Sequence, residues 1–427
     1  MVTITKRSFL KTSLCAGIGA GTGMYFGAAN AQKAASLTMT SWGSPAEIAA
    51  FNAQIERYKA RNPNVAIKLE VVPSGQYYQQ LDTRFAGKQA PDIFRAQYQR
   101  IGRYGQSGAA IDLSQYLDAG FGQDFLPSVW RASTIKGKPH ALPHHTDTFA
   151  LFYNAEILEK CGIEAPKSLD KSWTWQEFIS AAKLAKEKAG LNYAFAMNWQ
   201  NSNAYRWLMY LYQHGGQLLD DELKGPQINT KEAAETVAWT QSWFKDALVP
   251  PNTSLKSSEP VQNLFATGKI AMLLHGDWQI PFIQEQAKFK WGVTYLPRDV
   301  AMAADLGGNA LAVSRDSKSP DVAADFVKFM VAEEAMREFV TKAQFLPVRK
   351  SLKEKGLIYD IRNEEMKVFL EQSATVPEHL VSTIVLPTWD RFNAKLADEL
   401  ELAFTSGQSP TATVANIEKH VRSTLLV

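Results

Sequence analysis

Apolar and polar residues follow two different periods along most of the chain, which predicts strands and helices in turn. Residues 37–42 form a short segment typical of a strand, and a Gly-Ser-Pro turn then leads into a helix. Residues 65–71 alternate strictly as a second strand, and Ala90-Pro91-Asp92-Ile93-Phe94 begins a third. Strands that alternate with helices at this spacing predict a mostly parallel sheet covered by helices on both faces.

The segment from residue 265 to residue 313 has the pattern of a binding site. An apolar run at 270–274 predicts a buried parallel strand, and Trp278 follows it at a strand-to-helix turn. In open α/β sheets, ligands bind beyond the carboxyl ends of the strands. A second strand is predicted at 291–296, and the paired glycines Gly307-Gly308 allow the backbone to approach a partner closely. No group in this segment is arranged for catalysis.

Extended segments separate a region of alternating strands and helices from a more helical region. This pattern predicts two αβ lobes joined by several crossings. The crossing candidates are residues 146–150, 297–306 and 342–347. Helix signals are frequent after the first crossing. Thr174-Trp-Gln-Glu177 is a capping box, and Ser319-Pro320 opens a helix that continues to about residue 331.

Composition and charge limit the class of protein. A chain of 427 residues with 45% hydrophobic residues buries enough surface for two or three domains. Residues 1–31 read as an export signal, with three basic residues, a Gly-rich apolar run and a small-x-small cleavage site. Its start resembles a twin-arginine signal, so both the Tat and the general secretory routes stay open. Beyond this signal, 43 Lys and Arg balance 43 Asp and Glu, which does not favour a nucleic-acid partner.

The two cysteines predict a protein without an internal disulfide. Cys15 lies in the export signal and lacks a good lipidation box, which leaves Cys161 alone in the exported chain. The expected location is therefore the periplasm, without a lipid anchor.

Ordered sequence blocks extend over nearly the whole chain after the signal. They are Trp42 at the end of the first strand, Arg61-Asn62-Pro63, Gly87-Lys-Gln-Ala-Pro91-Asp92-Ile93, Leu151-Phe-Tyr153-Asn154, Gly268-Lys-Ile-Ala-Met272, Gly276-Asp-Trp278, Gly307-Gly308, residues 319–330 and Leu346-Pro347-Val-Arg349-Lys350. In this order they resemble the family 1 extracellular solute-binding proteins, the maltose-binding-protein-like sugar receptors of ABC importers.

The resemblance implies a two-lobe periplasmic binding protein fold of type II. Each lobe is then a mostly parallel α/β sheet flanked by helices, and a hinge closes the lobes around a carbohydrate without chemistry. The expected N-terminal lobe comprises residues 32–148 plus 304–344, and the C-terminal lobe comprises residues 149–303 plus 345–427.

The implied function is that of an extracytoplasmic receptor that delivers a mono- or oligosaccharide to the membrane permease and its cytoplasmic ATPase. We expect a monomer without cofactor, metal or nucleic acid. Two alternatives stay open. A receptor for a polyamine requires clustered carboxylates, and one for a sugar phosphate requires exposed helix N-termini with Lys or Arg. An exported glycoside-cleaving enzyme requires two carboxylates on either side of the bond.

Sugars present apolar C–H faces and rings of hydroxyls, so aromatic faces and planar polar side chains suit them. The expected ligand contacts are Trp42, Ser44, Tyr77, Gln97, Tyr98, Asp147, Trp199, Asn201, Trp278, Gly307, Gly308, Asn309 and Arg349. Gln97 and Tyr98 are both kept because the register after the third strand is open.

Each of these residues also has a structural interpretation. Trp278 and Trp42 fill the core in that view, and Asp147 forms a hinge cap or salt bridge. Arg349 then pairs with a carboxylate instead of ligand hydroxyls. His140, His144 and His145 lie close in sequence, but their spacing matches no metal motif.

Overall fold

The computed structural model describes residues 34–199 and 203–427. The predicted export signal, residues 1–31, and the predicted ligand contact Asn201 lie outside the described residues. The strands are β1 (Ala35–Ser41), β2 (Val65–Val71), β3 (Ile93–Gln97), β4 (Thr134–Ile135), β5 (Lys138–Pro139), β6 (Leu142–His145), β7 (Phe149–Asn154), β8 (Phe195–Met197), β9 (Met272–Gly276), β10 (Trp291–Thr294) and β11 (Asn309–Val313).

Helices flank the two main sheets. They are α1 (Pro45–Arg61), α2 (Ser74–Ala86), α3 (Tyr98–Gln106), α4 (Pro127–Ala132), α5 (Ala155–Cys161), α6 (Trp175–Ala189), α7 (Trp207–Gln213), α8 (Lys231–Lys245), α9 (Val261–Ala266), α10 (Ile280–Gln286), α11 (Pro320–Met330), α12 (Glu333–Ala343), α13 (Lys350–Lys355), α14 (Asn363–Ser373), α15 (Glu378–Ile384), α16 (Trp389–Ser406) and α17 (Pro410–His420). Among the described residues, no helix combines the length and apolar character that a membrane span requires.

Two separate mixed sheets form the centres of two lobes. The first has the order β2-β1-β3-β11-β6, and the second has the order β10-β7-β9-β8. In the first sheet, β1 runs parallel to β2 and β3, whereas β11 runs antiparallel to β3 and β6. In the second sheet, β9 runs parallel to β8 but antiparallel to β7, which is also antiparallel to β10.

The prediction of mostly parallel sheets is therefore wrong in detail, most clearly for the second sheet. A parallel pair within one sheet needs a crossover connection, usually a helix. The chain passes from β6 to the second sheet and returns from the second sheet to β11. These two strands therefore need no crossover within the first sheet, and they are antiparallel to their neighbours. The run at 270–274 shows the same effect, since β9 has one parallel and one antiparallel neighbour.

Local signals place the helix ends where the sequence predicts them. The Thr174 hydroxyl accepts from the Glu177 N–H, and the Glu177 carboxylate accepts from the Thr174 N–H at 2.7 Å, which forms the predicted capping box of α6. Gly190 ends this helix at φ 66°, in the left-handed region that favours glycine. Helix α1 ends at Arg61, directly before Asn62-Pro63, as predicted.

The three predicted crossing segments lie side by side between the sheets. Thr146 and Leu346 exchange backbone hydrogen bonds of 2.9 and 3.0 Å, and the Gly307 N–H donates to the Asp147 carbonyl at 3.0 Å. The Phe149 N–H donates to an Asp305 carboxylate oxygen at 3.0 Å. Hydrogen bonds thus connect the three crossing segments to one another between the lobes, and we call these segments the crossing bundle.

The C-terminal helices bridge the two halves. Helix α16 contacts α8 and α17 and also reaches α3 at the end of the first sheet, while α15 lies between α4 and α7. Helix α14 lies against β7 and β10, and α13 lies beside α12. The exact residue boundaries of the two lobes remain a prediction.

Candidate functional site

A cavity of about 620 Å³ lies where residues from both sheets meet. It receives side chains that follow the ends of β1, β3 and β9, the positions where open sheets bind ligands. Six of the predicted contacts line it: Trp42, Ser44, Gln97, Asp147, Trp278 and Asn309. The remaining described candidates lie elsewhere, as set out below.

The wall from the first sheet centres on Trp42. Its ring contacts Tyr77 and Tyr78, with ring centres 4.6 and 5.7 Å apart, and the Arg95 guanidinium lies 4.4 Å from its ring centre. Arg95 also donates to the Trp42 carbonyl at 2.7 Å. Because Tyr77 and Arg95 hold it on two sides, Trp42 presents a fixed indole to the cavity.

Glu47 neutralises Arg95 within this wall. Their side chains form an ion pair of 2.7 Å and are 6% and 1% exposed, respectively. The other Glu47 oxygen accepts from the Ser44 N–H at 2.7 Å, and the Ser44 hydroxyl accepts from the Glu47 N–H. The predicted contact Ser44 therefore lines the cavity and also caps α1.

The wall from the second sheet centres on Trp278, which is partly exposed to the cavity. Its ring contacts Phe149 and His275, with ring centres 5.8 and 5.3 Å apart. Gly276 leaves room for the indole, since a Cβ built at this glycine would meet the Trp278 ring at 1.7 Å. The alternative that Trp278 only fills the core thus does not describe its position, because one part packs and another faces the cavity.

A buried charge cluster lies between the two walls. Arg206 pairs with Asp147 at 3.2 Å and with Asp305, and its guanidinium lies 4.0 Å from the Phe149 ring centre. Burial raises the pKa of Asp147 to about 6, and repulsion from Asp305 adds to this shift against the attraction of Arg206. Burial, followed by repulsion from Asp147, also raises the pKa of Asp277 well above its ordinary value.

Asp147 forms the salt bridge that the sequence offered as its structural interpretation, and it also lines the cavity. Its contact with a ligand stays a prediction. Asp277 differs, because one oxygen accepts from the Trp278 N–H at 2.9 Å while the other is buried without a hydrogen-bond partner. Burial and the repulsion from Asp147 therefore favour the protonated form of Asp277 more than in an exposed carboxyl.

Three predicted aromatic contacts are buried in the protein instead of lining the cavity. The Tyr77 hydroxyl donates to the carbonyls of Thr40 and Arg95, so this side chain supports Trp42 from behind. The Tyr98 hydroxyl donates to the His145 carbonyl at 3.0 Å. Trp199 is 2% exposed and packs against Trp243 and Phe404.

Arg349 occupies the structural position that the sequence offered as its alternative. It pairs with Asp124 at 2.8 Å, donates to the Val331 carbonyl at 2.7 Å and lies over the Phe125 ring. Arg349 is not among the residues that line the cavity.

Gly307 and Gly308 allow two crossing segments to pack closely against each other. A Cβ at Gly307 would meet an Asp147 oxygen at 1.7 Å, and Gly308, at φ 98°, would bring one within 2.5 Å of the His145 carbonyl. Their backbone therefore packs against the 145–147 segment, and Asn309 is the member of this group that lines the cavity. Its amide contacts His145 Nε2 at 3.1 Å.

His144 and His145 lie behind the cavity wall and form hydrogen bonds with Arg95 and with each other. Arg95 approaches His145 Nε2 at 3.2 Å, and since arginine only donates, this nitrogen accepts. His145 Nδ1 then donates to His144 Nδ1 at 3.1 Å. Burial, reinforced by the charge of Arg95, lowers the pKa of both rings, that of His144 to about 3, so both are neutral.

Sequence reasoning missed most of the polar residues that complete the cavity. They include Glu47, Arg95, Arg100, Asn198, Arg206, Gln262, His275 and Gln279. One signal was available: Ser44-Pro-Ala-Glu47 is a capping box, and Arg95 lies inside a strand where a buried cation demands a partner. No local signal indicates that these two residues meet.

Comparison with known proteins identifies the class to which this fold and cavity belong. Residues 42–337 match the family model described as bacterial extracellular solute-binding protein, and the chain belongs to this family. This confirms the family expected from the ordered sequence blocks.

Individual relatives agree over most of the chain. A putative binding protein of Brucella abortus is 25% identical over 84% of this chain and 85% of its own length. The maltodextrin-binding protein MdxE of Bacillus subtilis is 25% identical, over 77% of this chain and 75% of its own length. The crystal structure of the GacH receptor of Streptomyces glaucescens, reported unliganded and with acarbose, superimposes with a TM-score of 0.81 at 26% identity. That match covers 92% of this chain and 99% of the GacH chain. The two-lobe periplasmic binding protein fold is thereby confirmed.

Proposed function

We propose that this protein is the extracytoplasmic receptor of an ABC importer and binds a carbohydrate in the cavity between its lobes. One observation carries the proposal: an indole from each sheet, Trp42 and Trp278, lines the same cavity. Such faces suit the apolar C–H surface of a sugar ring. The relatives named for maltodextrin and for acarbose support the same class of ligand.

The polar lining supports the same conclusion. Amide side chains of Gln97, Asn198, Gln279 and Asn309 line the cavity beside the indoles. Amides both donate and accept, as sugar hydroxyls do, so each amide can satisfy a hydroxyl in two directions. A cavity that combines these two kinds of group holds a ring by its face and by its edge.

The charges argue against the two alternative functions. Among the described residues, the carboxylates that line the cavity are Glu47 and Asp147, and each already pairs with an arginine. A polyamine would compete with these arginines. A glycoside-cleaving enzyme would need two carboxyls available to the bond, and these two are engaged in ion pairs.

Lobe closure and delivery complete the proposal. The crossing bundle at residues 146–149, 305–307 and 346 is the natural hinge, because it is the place where backbone passes between the sheets. In this proposal the ligand closes the lobes, and the closed monomer docks on the permease and its ATPase. Export by the signal at residues 1–31 would place the receptor in the periplasm.

A thermal-shift screen over neutral mono- and oligosaccharides, with polyamines and polyols as comparison ligands, tests the class of ligand. A ligand at 100 times its Kd stabilises the folded state by about 2.7 kcal/mol, a readily measured shift. Titration calorimetry on Trp278→Ala then tests the site, with Trp173→Ala as a control because Trp173 is partly buried outside the cavity. The expected result is a large loss of affinity for Trp278→Ala alone. A shift by polyamines with none by sugars would refute the carbohydrate assignment, and formation of cleavage products would refute the receptor function.

A further inference from the structure

We propose that Glu47 makes this cavity selective for uncharged over acidic saccharides, and that loss of its charge admits uronic acids. The inference rests on the carbohydrate-binding function proposed above. It concerns a residue that lines the cavity and shares one ion pair with Arg95.

Arg95 is the cation that an acidic sugar would otherwise use. It lines the cavity, and its guanidinium is oriented by the Trp42 carbonyl and the Trp42 ring. Arginine is the usual partner of a ligand carboxylate because its planar fork matches two oxygens. In this protein Glu47 already occupies that partner position at 2.7 Å.

The other cations of the cavity are satisfied in the same way. Arg100 pairs with Asp390 at 2.7 Å, and its guanidinium lies 3.9 Å from the Tyr78 ring centre. Arg206 pairs with Asp147 and Asp305. Among the described lining residues, every Arg or Lys therefore has a carboxylate from the protein itself. An acidic ligand would lose its hydration and find no unpaired positive charge in return.

Glu47 is the position where this balance is easiest to change. Asp390 does not line the cavity, and Arg206 keeps Asp305 even without Asp147. Glu47 lines the cavity beside its partner, so its charge also repels an incoming carboxylate directly. Glutamine at position 47 keeps the capping box, because its side-chain oxygen can still accept from the Ser44 N–H.

The chain offers a matched control for this substitution. Glu177 forms the same capping box on α6, where its carboxylate accepts from the Thr174 N–H at 2.7 Å, and it does not line the cavity. Glu177→Gln thus removes one capping-box charge and leaves the ion pairs of the cavity intact.

The experiment is titration calorimetry of wild type, Glu47→Gln and Glu177→Gln with neutral and acidic saccharide pairs. The pairs are glucose with glucuronate, galactose with galacturonate, and their di- and trisaccharides. Wild type and Glu177→Gln should prefer the neutral member at least tenfold. Glu47→Gln should reduce that preference at least tenfold by gaining affinity for the acidic member. Equal preference in all three proteins, or a wild type that favours the acidic member, would overturn the inference. If wild type binds no saccharide of any kind, the proposed function itself fails.

A second measurement covers the case in which the unpaired Arg95 weakens the Glu47→Gln fold. Acetate can take the place of the missing carboxylate beside Arg95. Titration with sodium acetate, against sodium chloride at equal ionic strength, should raise the melting temperature of Glu47→Gln by several degrees and leave wild type unchanged. Identical responses of the two proteins to acetate would show that Arg95 is not made available, which overturns the inference independently of any sugar.

Discussion

Gly276 offers a direct test of how Trp278 is positioned, because the atoms nearest to a side chain at this glycine belong to the Trp278 ring. The three atoms nearest to a Cβ built at Gly276 all belong to the Trp278 ring, at 1.7, 2.2 and 2.2 Å. The backbone has φ −87° and ψ 163°, which alanine adopts without strain. Gly276→Ala therefore perturbs the protein through Trp278.

The magnitude follows from the size of this overlap. Carbon atoms in contact lie about 3.5–4 Å apart, so the indole must move by roughly 2 Å to accommodate one methyl group. Overpacking of a well-packed site costs about 1–3 kcal/mol. Because Trp278 is partly exposed to the cavity, the open direction for the ring is the space proposed for the ligand. Gly276→Ala should lower the free energy of unfolding by about 1–3 kcal/mol and weaken ligand binding as well.

Urea unfolding of wild type, Gly276→Ala, Trp278→Ala and the double variant measures the coupling between the two positions. Once the indole is removed, the alanine methyl has room, so Gly276→Ala should cost little in the Trp278→Ala background. The expected coupling energy is about 1–3 kcal/mol. An equal cost of Gly276→Ala with and without the indole would refute the reasoning, since the methyl would then clash with something other than Trp278.

Three further predictions concern the buried charges. Arg206→Met should lower the free energy of unfolding by about 3–5 kcal/mol at pH 7, because it leaves Asp147 and Asp305 without their buried partner. The loss should be smaller at pH 5, where Asp147, whose pKa is about 6, is mostly protonated; urea unfolding at both pH values checks this. The pKa of Asp147 is about 6 in the folded protein against about 4 when unfolded, so wild-type stability should fall relative to Asp147→Asn as pH rises from 4 to 7. Parallel stability curves for the two proteins would contradict that shift. Arg349→Ala should lower the free energy of unfolding by about 2 kcal/mol, since Asp124 loses a charged hydrogen bond, and leave the Kd for the ligand unchanged; a weaker Kd with unchanged stability would instead assign Arg349 to the ligand.

The limits of helices and strands were predictable because their causes are local. A capping box, a glycine in the left-handed region and an Asn-Pro pair act within one turn, and each is readable from a few neighbouring residues. The family was readable for a different reason: its sequence blocks retain their order along the chain, whatever their contacts in space.

Which aromatic residues reach the cavity was decided by the tertiary structure. Trp199 follows a strand and reads like a ligand contact, but it is covered by Phe404 of α16, about two hundred positions later in the chain. Tyr77 lies on the helix before β3 and is drawn inward by two backbone carbonyls. Periodicity indicates that a face is apolar but not which later segment will cover it.

The charges of the site depend even more on the fold. Arg95 meets Glu47, and Arg206 meets Asp147 and Asp305, across separations of 48, 59 and 99 residues. A buried arginine requires a carboxylate partner, and this requirement can be read from the sequence. Only the arrangement of the two lobes determines which carboxylate forms the ion pair. The sequence by itself thus determined the class of protein and its elements. The tertiary structure decided which side chains face the ligand and which neutralise one another, because both depend on contacts between distant segments.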